Sequence, residues 1–128
     1  MGYPTDRRYT NEHEWARLDG DTIVVGITKF ATESLGDVVF VELPKPGDTV
    51  TKGERFGVVE STKAVSDLFA PLSGTVSDAN QGLIDGPEQA NVDPYAAWMI
   101  KVTGFAKADF DALMDAAAYE KFVAESAH

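Results

Sequence analysis

Along most of the chain, apolar positions come in short runs that turn residues interrupt. Residues 14–18 lead into Asp19-Gly20-Asp21 and then Thr22-Ile23-Val24-Val25-Gly26-Ile27. Two such runs around an Asp-Gly pair predict a β-hairpin. Residues 38–43 form a Val-rich run that stops at Pro44-Lys45-Pro46-Gly47, where proline has no N–H to give to a ladder. Further strands are expected at 56–59, introduced by Lys52-Gly53, and at 67–69. A turn at Pro71-Leu72-Ser73-Gly74 then leads to Thr75-Val76, and a final strand is expected at 98–102. Many short strands with closely spaced turn signals predict a mainly β protein, a sandwich or flattened barrel.

Two stretches switch to a helical period. Residues 28–35 form a short internal helix, with Thr28 as N-cap and Gly36 just past its end. Residues 108–124 form a C-terminal helix whose Phe110, Leu113, Met114, Ala117 and Phe122 fall roughly on one stripe. Asp109 and Asp111 sit at its positive end. Residues 77–97 carry few strand signals and are expected to be mostly loop.

A length of 128 residues points to one domain spanning 1–128, with its helical segment at about 108–124. No apolar run is long enough to cross a bilayer. Residues 1–8 have no apolar signal core, and Asp6 stands where myristoylation needs Ser or Thr. A cytoplasmic protein is expected, or a mitochondrial-matrix one if a transit peptide has been removed. With no cysteine there is no disulfide framework or thiolate metal site. His13 has no second His four residues on, so it makes no zinc helix. The net charge of −10 disfavours nucleic acid and anionic membrane surfaces as partners.

Seven lysines are present, and the ordinary reading of each is a solvated surface charge. Lys63 has a distinct setting, Val58-Val59-Glu60-Ser61-Thr62-Lys63-Ala64-Val65-Ser66-Asp67. An apolar strand enters, a small polar run carries the lysine, and a second strand leaves. Gly53 and Gly74 lie nearly equidistant from it, and positions equidistant from a hairpin tip come to face each other. Lys63 is therefore expected at an exposed tip, its amine open to acylation.

The chain resembles the glycine cleavage system H proteins over nearly its whole length. The resemblance rests on Tyr9-Thr10, His13-Glu14-Trp15, Val25-Gly26-Ile27-Thr28, and Leu35-Gly36-Asp37-Val38-Val39-Phe40-Val41-Glu42-Leu43-Pro44. It continues through Gly57-Val58-Val59 and the Lys63 segment, Ala70-Pro71-Leu72-Ser73-Gly74, Asn91, Asp93-Pro94-Tyr95, and Leu113-Met114-Asp115-Ala116. It implies a lipoyl-domain-like sandwich and lipoic acid bound covalently as an amide on Lys63. It also implies that Glu60 and Gly74 help lipoate attachment enzymes recognise the site. Taken by themselves, Glu60 is a solvated strand end and Gly74 a turn glycine of positive φ.

The implied role is that of a non-catalytic carrier. A pyridoxal-phosphate glycine decarboxylase (P protein), a folate-dependent aminomethyltransferase (T protein) and dihydrolipoyl dehydrogenase (L protein) do the chemistry, and the arm moves between them. Glu14 and Asp67 match positions of the cleft in which the loaded arm rests, where a carboxylate pairs with an amine; otherwise they are strand-end charges. The chain departs from the family at Asp93-Pro94-Tyr95-Ala96-Ala97-Trp98, which is one residue shorter and lacks two glycines, so that loop is expected to follow another path. Lys29 is a milder departure.

Four other readings compete. Lipoyl domains of 2-oxoacid dehydrogenases carry Asp before the lysine, where Thr62 stands here. Biotin carriers flank theirs with Met, against Thr62 and Ala64. An H-like relay, passing lipoyl groups on or serving sulfur metabolism, is separated from a glycine-system carrier by gene neighbours. A partner-binding β-domain with no prosthetic group is the fourth. No nucleophile–base pair or metal cluster points to an enzyme acting alone.

Overall fold

The computed structural model describes residues 3–126. Two sheets face each other without closing into a barrel. The larger is built from β1 (Arg8–Tyr9), β2 (Glu14–Asp19), β3 (Thr22–Ile27), β9 (Ile100–Thr103), β8 (Gly74–Ala79) and β5 (Thr49–Val50), in that spatial order. The smaller orders β4 (Val38–Glu42), β6 (Arg55–Ser61) and β7 (Val65–Phe69). All pairings are antiparallel.

The Asp-Gly hairpin forms as expected: β2 and β3 pair from Glu14↔Ile27 to Asp19↔Thr22, with Gly20 at φ 62°. Ile23 to Ile27 is buried without alternation, because this strand is covered on both faces. Ile23 and Val25 enter the inner core with Ala16, Leu72, Val76, Ile100 and Val102. Val24 faces the other way, into a cluster with Tyr9, Trp15, Ala116 and Tyr119. Trp15 pairs with Gly26, and a Cβ there would lie 2.5 Å from the indole. Only a glycine lets that ring lie across the neighbouring strand.

The short internal helix α1 (Lys29–Leu35) has the predicted ends. Thr28 accepts from Ala31 N through its side chain, and Gly36 has φ 80°. A second core lies between the small sheet and the helices. It holds Leu35, Val41, Val59, Leu68, Leu83, Ala90 and Met99.

Two expectations need correction. Residues 77–97 are not mostly loop: β8 runs to Ala79, and α2 (Gln81–Asp85) and α3 (Gln89–Val92) follow. These helices are single turns, too short to show a period, and Leu83 and Ala90 anchor them in the second core. The C-terminal segment 108–124 is two helices, α4 (Lys107–Asp111) and α5 (Ala116–Ser126). Between them Met114 and Tyr9 exchange backbone hydrogen bonds of 2.8 and 3.0 Å, and Asp115 Oδ1 accepts from Ala118 N at 2.8 Å. That sheet-like pairing interrupts the helix, and Asp115 starts it again as an N-cap. The buried residues of α5 are consequently Ala116 and Tyr119, and Ala117 is exposed.

Candidate functional site

Lys63 stands at the tip of the β6–β7 hairpin. The pairs Glu60↔Val65, Val59↔Ser66 and Val58↔Asp67 are symmetric about Thr62–Lys63, and in the other sheet Thr49↔Thr75 and Val50↔Gly74 nearly repeat that centre. Ser61 closes the tip. Ser61 N donates to Ala64 O at 2.8 Å, while Ser61 Oγ accepts from Ala64 N at 3.0 Å and Lys63 N at 3.3 Å. Lys63 is exposed, and among the described residues its amine has no ion pair or hydrogen bond.

The tip is held from one side. Thr62 N donates to Asp37 O at 3.0 Å. Gly36 lies under the lysine, with 3.2 Å between a built Cβ and Lys63 Cε. Asn91 clamps this ledge: its Nδ2 donates to Gly36 O and its Oδ1 accepts from Val38 N, both at 2.8 Å. Asn91 thus supports the tip, a role that its place in the sequence does not signal.

Glu60 is half-buried on β6, between Phe40 and Val65 in one cross-strand row. No cation pairs with it among the described residues. Gly74 is not the turn glycine expected: its φ is not positive, and it opens a strand opposite Val50. Glycine is needed there because a Cβ would lie 2.5 Å from Val102 Cγ1 and 2.6 Å from Thr103 O.

Glu14 is no surface charge. It is 1% exposed at the start of β2 and lines a cleft of about 570 Å³ with Tyr9, Thr10, Lys52, Phe69 and Met114 among others. Thr10 Oγ1 donates to Glu14 Oε1 at 2.6 Å, and Phe69 N donates to Oε2 at 3.2 Å. Burial raises the Glu14 carboxyl to about 7 despite these two donors. The turn that buries it is strained, since His13 is the only non-glycine residue of positive φ among those described, at 71°.

His13 is held from α5. Its Nδ1 and Thr28 Oγ1 each lie 2.8 Å from Tyr119 Oη. Burial lowers the His13 pKa and favours a neutral ring. With Thr28 Oγ1 already accepting from Ala31 N, one consistent order has Thr28 donating to Tyr119 and Tyr119 donating to His13 Nδ1. Sequence reasoning missed Tyr119, because the predicted stripe for one continuous helix passed it by.

Comparison with known proteins decides the family. The glycine cleavage H-protein family model matches residues 7–126. The glycine cleavage system H protein of Anaeromyxobacter sp. (strain K) is 62% identical over 126 residues, covering 98% of each chain. That of Myxococcus xanthus (strain DK1622) is 55% identical over 124 residues, 96% of each. A crystal structure of a glycine cleavage system H protein from Mycobacterium marinum superposes with a TM-score of 0.84 at 40% identity, over 98% of this chain and 100% of that one.

The chain belongs to the glycine cleavage H-protein family. Members of that family are non-catalytic, lipoyl-bearing shuttles of the glycine cleavage system. Within this H protein, Asp67 does not join Glu14. It is exposed on β7, its Oδ1 3.2 Å from Arg55 Nε. The shortened loop needs no positive φ: Asp93 Oδ1 accepts from Tyr95 N and Ala96 N, Pro94 O accepts from Trp15 Nε1, and Tyr95 Oη accepts from Lys29 N. Among the described residues no acidic or histidine cluster could hold a metal ion, and no helix is long and apolar enough to cross a membrane.

Proposed function

We propose that this H protein carries its lipoyl group as an amide on Lys63. The observation that carries the reading is the exposed amine, unpaired among the described residues, at the tip of a symmetric hairpin. Its neighbours Ser61, Thr62 and Ala64 are small, so an attaching enzyme can close around the side chain. The attached group supplies a strained disulfide, open to attack and reducible to a dithiol.

The protein's own residues position, tether and shelter. The hairpin projects the lysine, and the ledge of Gly36 and Asp37 keeps the tip from folding back. A tether confines its end near a docked active site and raises its effective concentration there. The partners in this reading are the P, T and L proteins and the lipoate attachment enzymes, in the cytoplasm of a bacterium like those of the relatives.

Glu14 serves as the cleft's receptor for a cationic amine. Phe69, on the cleft wall, lies four residues along β7 from Val65, roughly 13 Å, a span for a long arm and beyond the lysine alone. A carboxyl held near neutrality by burial is ionised by an arriving cation, gaining a charge-assisted bond away from bulk water. The carboxylate proposal rests on Glu14, because Asp67 lies on another surface. Glu60 contributes to recognition through its carboxylate beside the tip. Gly74 does so indirectly, by letting the start of β8 pack against Val102 and Thr103 of β9.

Lys63→Arg tests this. A guanidinium keeps the charge but cannot take the lipoyl amide. The parent is expected to gain one lipoyl mass increment with a lipoate attachment enzyme, and then to support exchange of labelled bicarbonate into glycine with the decarboxylase. The Arg variant should do neither. Modification or exchange in the variant would remove Lys63 as the carrier.

A further inference from the structure

The outer face of the small sheet carries apolar side chains beside Lys63. A bulge between Val38 and Phe40 leaves Val39 as an extra residue opposite β6. It turns two successive side chains outward where alternation would bury one. Val39 and Phe40 are 55% and 46% exposed, and Val65, at the end of the same row, is 69% exposed. Glu60 stands between Phe40 and Val65 in register. Further along the strands, away from the tip, Arg55 lies 3.2 Å from Asp67 and 3.9 Å from Glu42. The surface is thus an apolar strip around the Glu60 carboxylate, bordered by an ion-paired rim like the polar rims of docking patches.

We infer that Phe40 and Val65, with Val39 beside them, dock the enzyme that acylates Lys63, through an apolar face carrying a cationic side chain opposite Glu60. This rests on Lys63 being the attachment site. Partners that use the finished arm meet its far end, whereas the attaching enzyme must reach Nζ itself. It must therefore touch residues within one strand pair of the tip. The ledge of Gly36, Asp37 and Asn91 takes up one approach to the tip, and the outer face remains open. Charge agrees, since a protein of net charge −10, with no cation on Glu60 among the described residues, favours a basic partner surface. In the step served, the neutral Lys63 amine attacks the acyl carbon of a lipoyl adenylate. The N–C bond forms, the C–O bond to phosphate breaks, AMP leaves with the electron pair, and the amine loses one proton.

The test follows lipoylation by intact mass at varied carrier concentration, using the full-length apo-protein, a lipoate attachment enzyme, lipoate and ATP. Phe40→Ser/Val65→Ser should raise KM for the carrier about tenfold, equivalent to ~1.4 kcal/mol, with kcat and melting temperature unchanged. Val65→Ser alone should give a smaller rise, and because Val65 is the more exposed of the two it stands as the test if the double variant melts early. Leu18→Ser, an exposed apolar change on the other sheet, should leave KM unaltered. Equal KM for parent and Val65→Ser variant would overturn the inference. So would normal lipoylation with weakened glycine exchange, which would assign the strip to the decarboxylase. A parent never modified at Lys63 would instead sink the attachment site itself.

Discussion

In the function proposed above the Lys63 tip and the Glu14 corner handle one arm, yet they are built in opposite ways. At the tip nothing large is buried. A three-residue turn held by Ser61, and one backbone bond from Thr62 to Asp37, define it. At the corner a carboxyl is 1% exposed, a histidine takes positive φ, and a tyrosine from a distant helix bridges two side chains. The difference teaches that presenting a group needs only accessibility, whereas sheltering one needs a packed, polar and costly pocket. Substitutions at the tip should alter modification and leave stability alone. Substitutions at the corner should alter stability and its pH dependence.

The largest effect should come from the packing behind the corner. Trp15 is fully buried, with Arg7 stacked 4.5 Å from its ring centroid. Trp15→Ala should cost about 3–5 kcal/mol in urea unfolding. A loss under 1 kcal/mol would show the aromatic cluster to be dispensable.

The next effect is pH-dependent. The Glu14 carboxyl is raised from 4.5 to about 7 in the folded protein, so between these values the folded state holds a proton that the unfolded state releases. Its contribution is fully present below pH 4.5 and is lost as pH rises through about 7. His13, lowered from 6.5, acts with the opposite sign: its contribution is present above 6.5 and lost as pH falls. Glu14→Gln isolates the carboxyl. Relative to the parent, that variant should gain up to about 3 kcal/mol between pH 4.5 and 7, and then level off. A difference that does not change with pH would contradict the buried ionisation.

Smaller still is the hydroxyl bridge. Tyr119→Phe keeps the ring but leaves His13 Nδ1 and Thr28 Oγ1 without their shared partner, at a cost of about 1–3 kcal/mol by thermal melting. The smallest effect belongs to the tip. Lys63→Ala should change stability by less than about 0.5 kcal/mol while abolishing lipoylation by mass. A clear fall in melting temperature would mean the tip carries structure after all, and the contrast with the corner would collapse.

Much of this was legible in the chain. Strand–turn alternation, the Asp-Gly hairpin and the Thr28 cap are local signals, so they survive without knowledge of neighbours, whereas Gly53 and Gly74 do not face each other as their spacing suggested: Gly74 lies opposite Val50, and Gly53 N donates to Ala70 O. The local signals determined the β class, the short helix and the exposed hairpin tip with Lys63 on it. Turn chemistry also predicted the strand end at Pro44. Tertiary structure alone decided the rest. The C-terminal helix breaks because Met114 finds a strand partner in Tyr9, over a hundred positions away, and no helical period records that. Gly74 is required by the closeness of β9, where the sequence suggested a turn. Glu14 has the same identity in a solvated strand end and in a buried pocket. Its burial follows from Thr10, Phe69 and Met114 converging from three separate parts of the chain. Local backbone preference is carried by the residue itself, whereas desolvation and close approach belong to whatever the fold brings beside it.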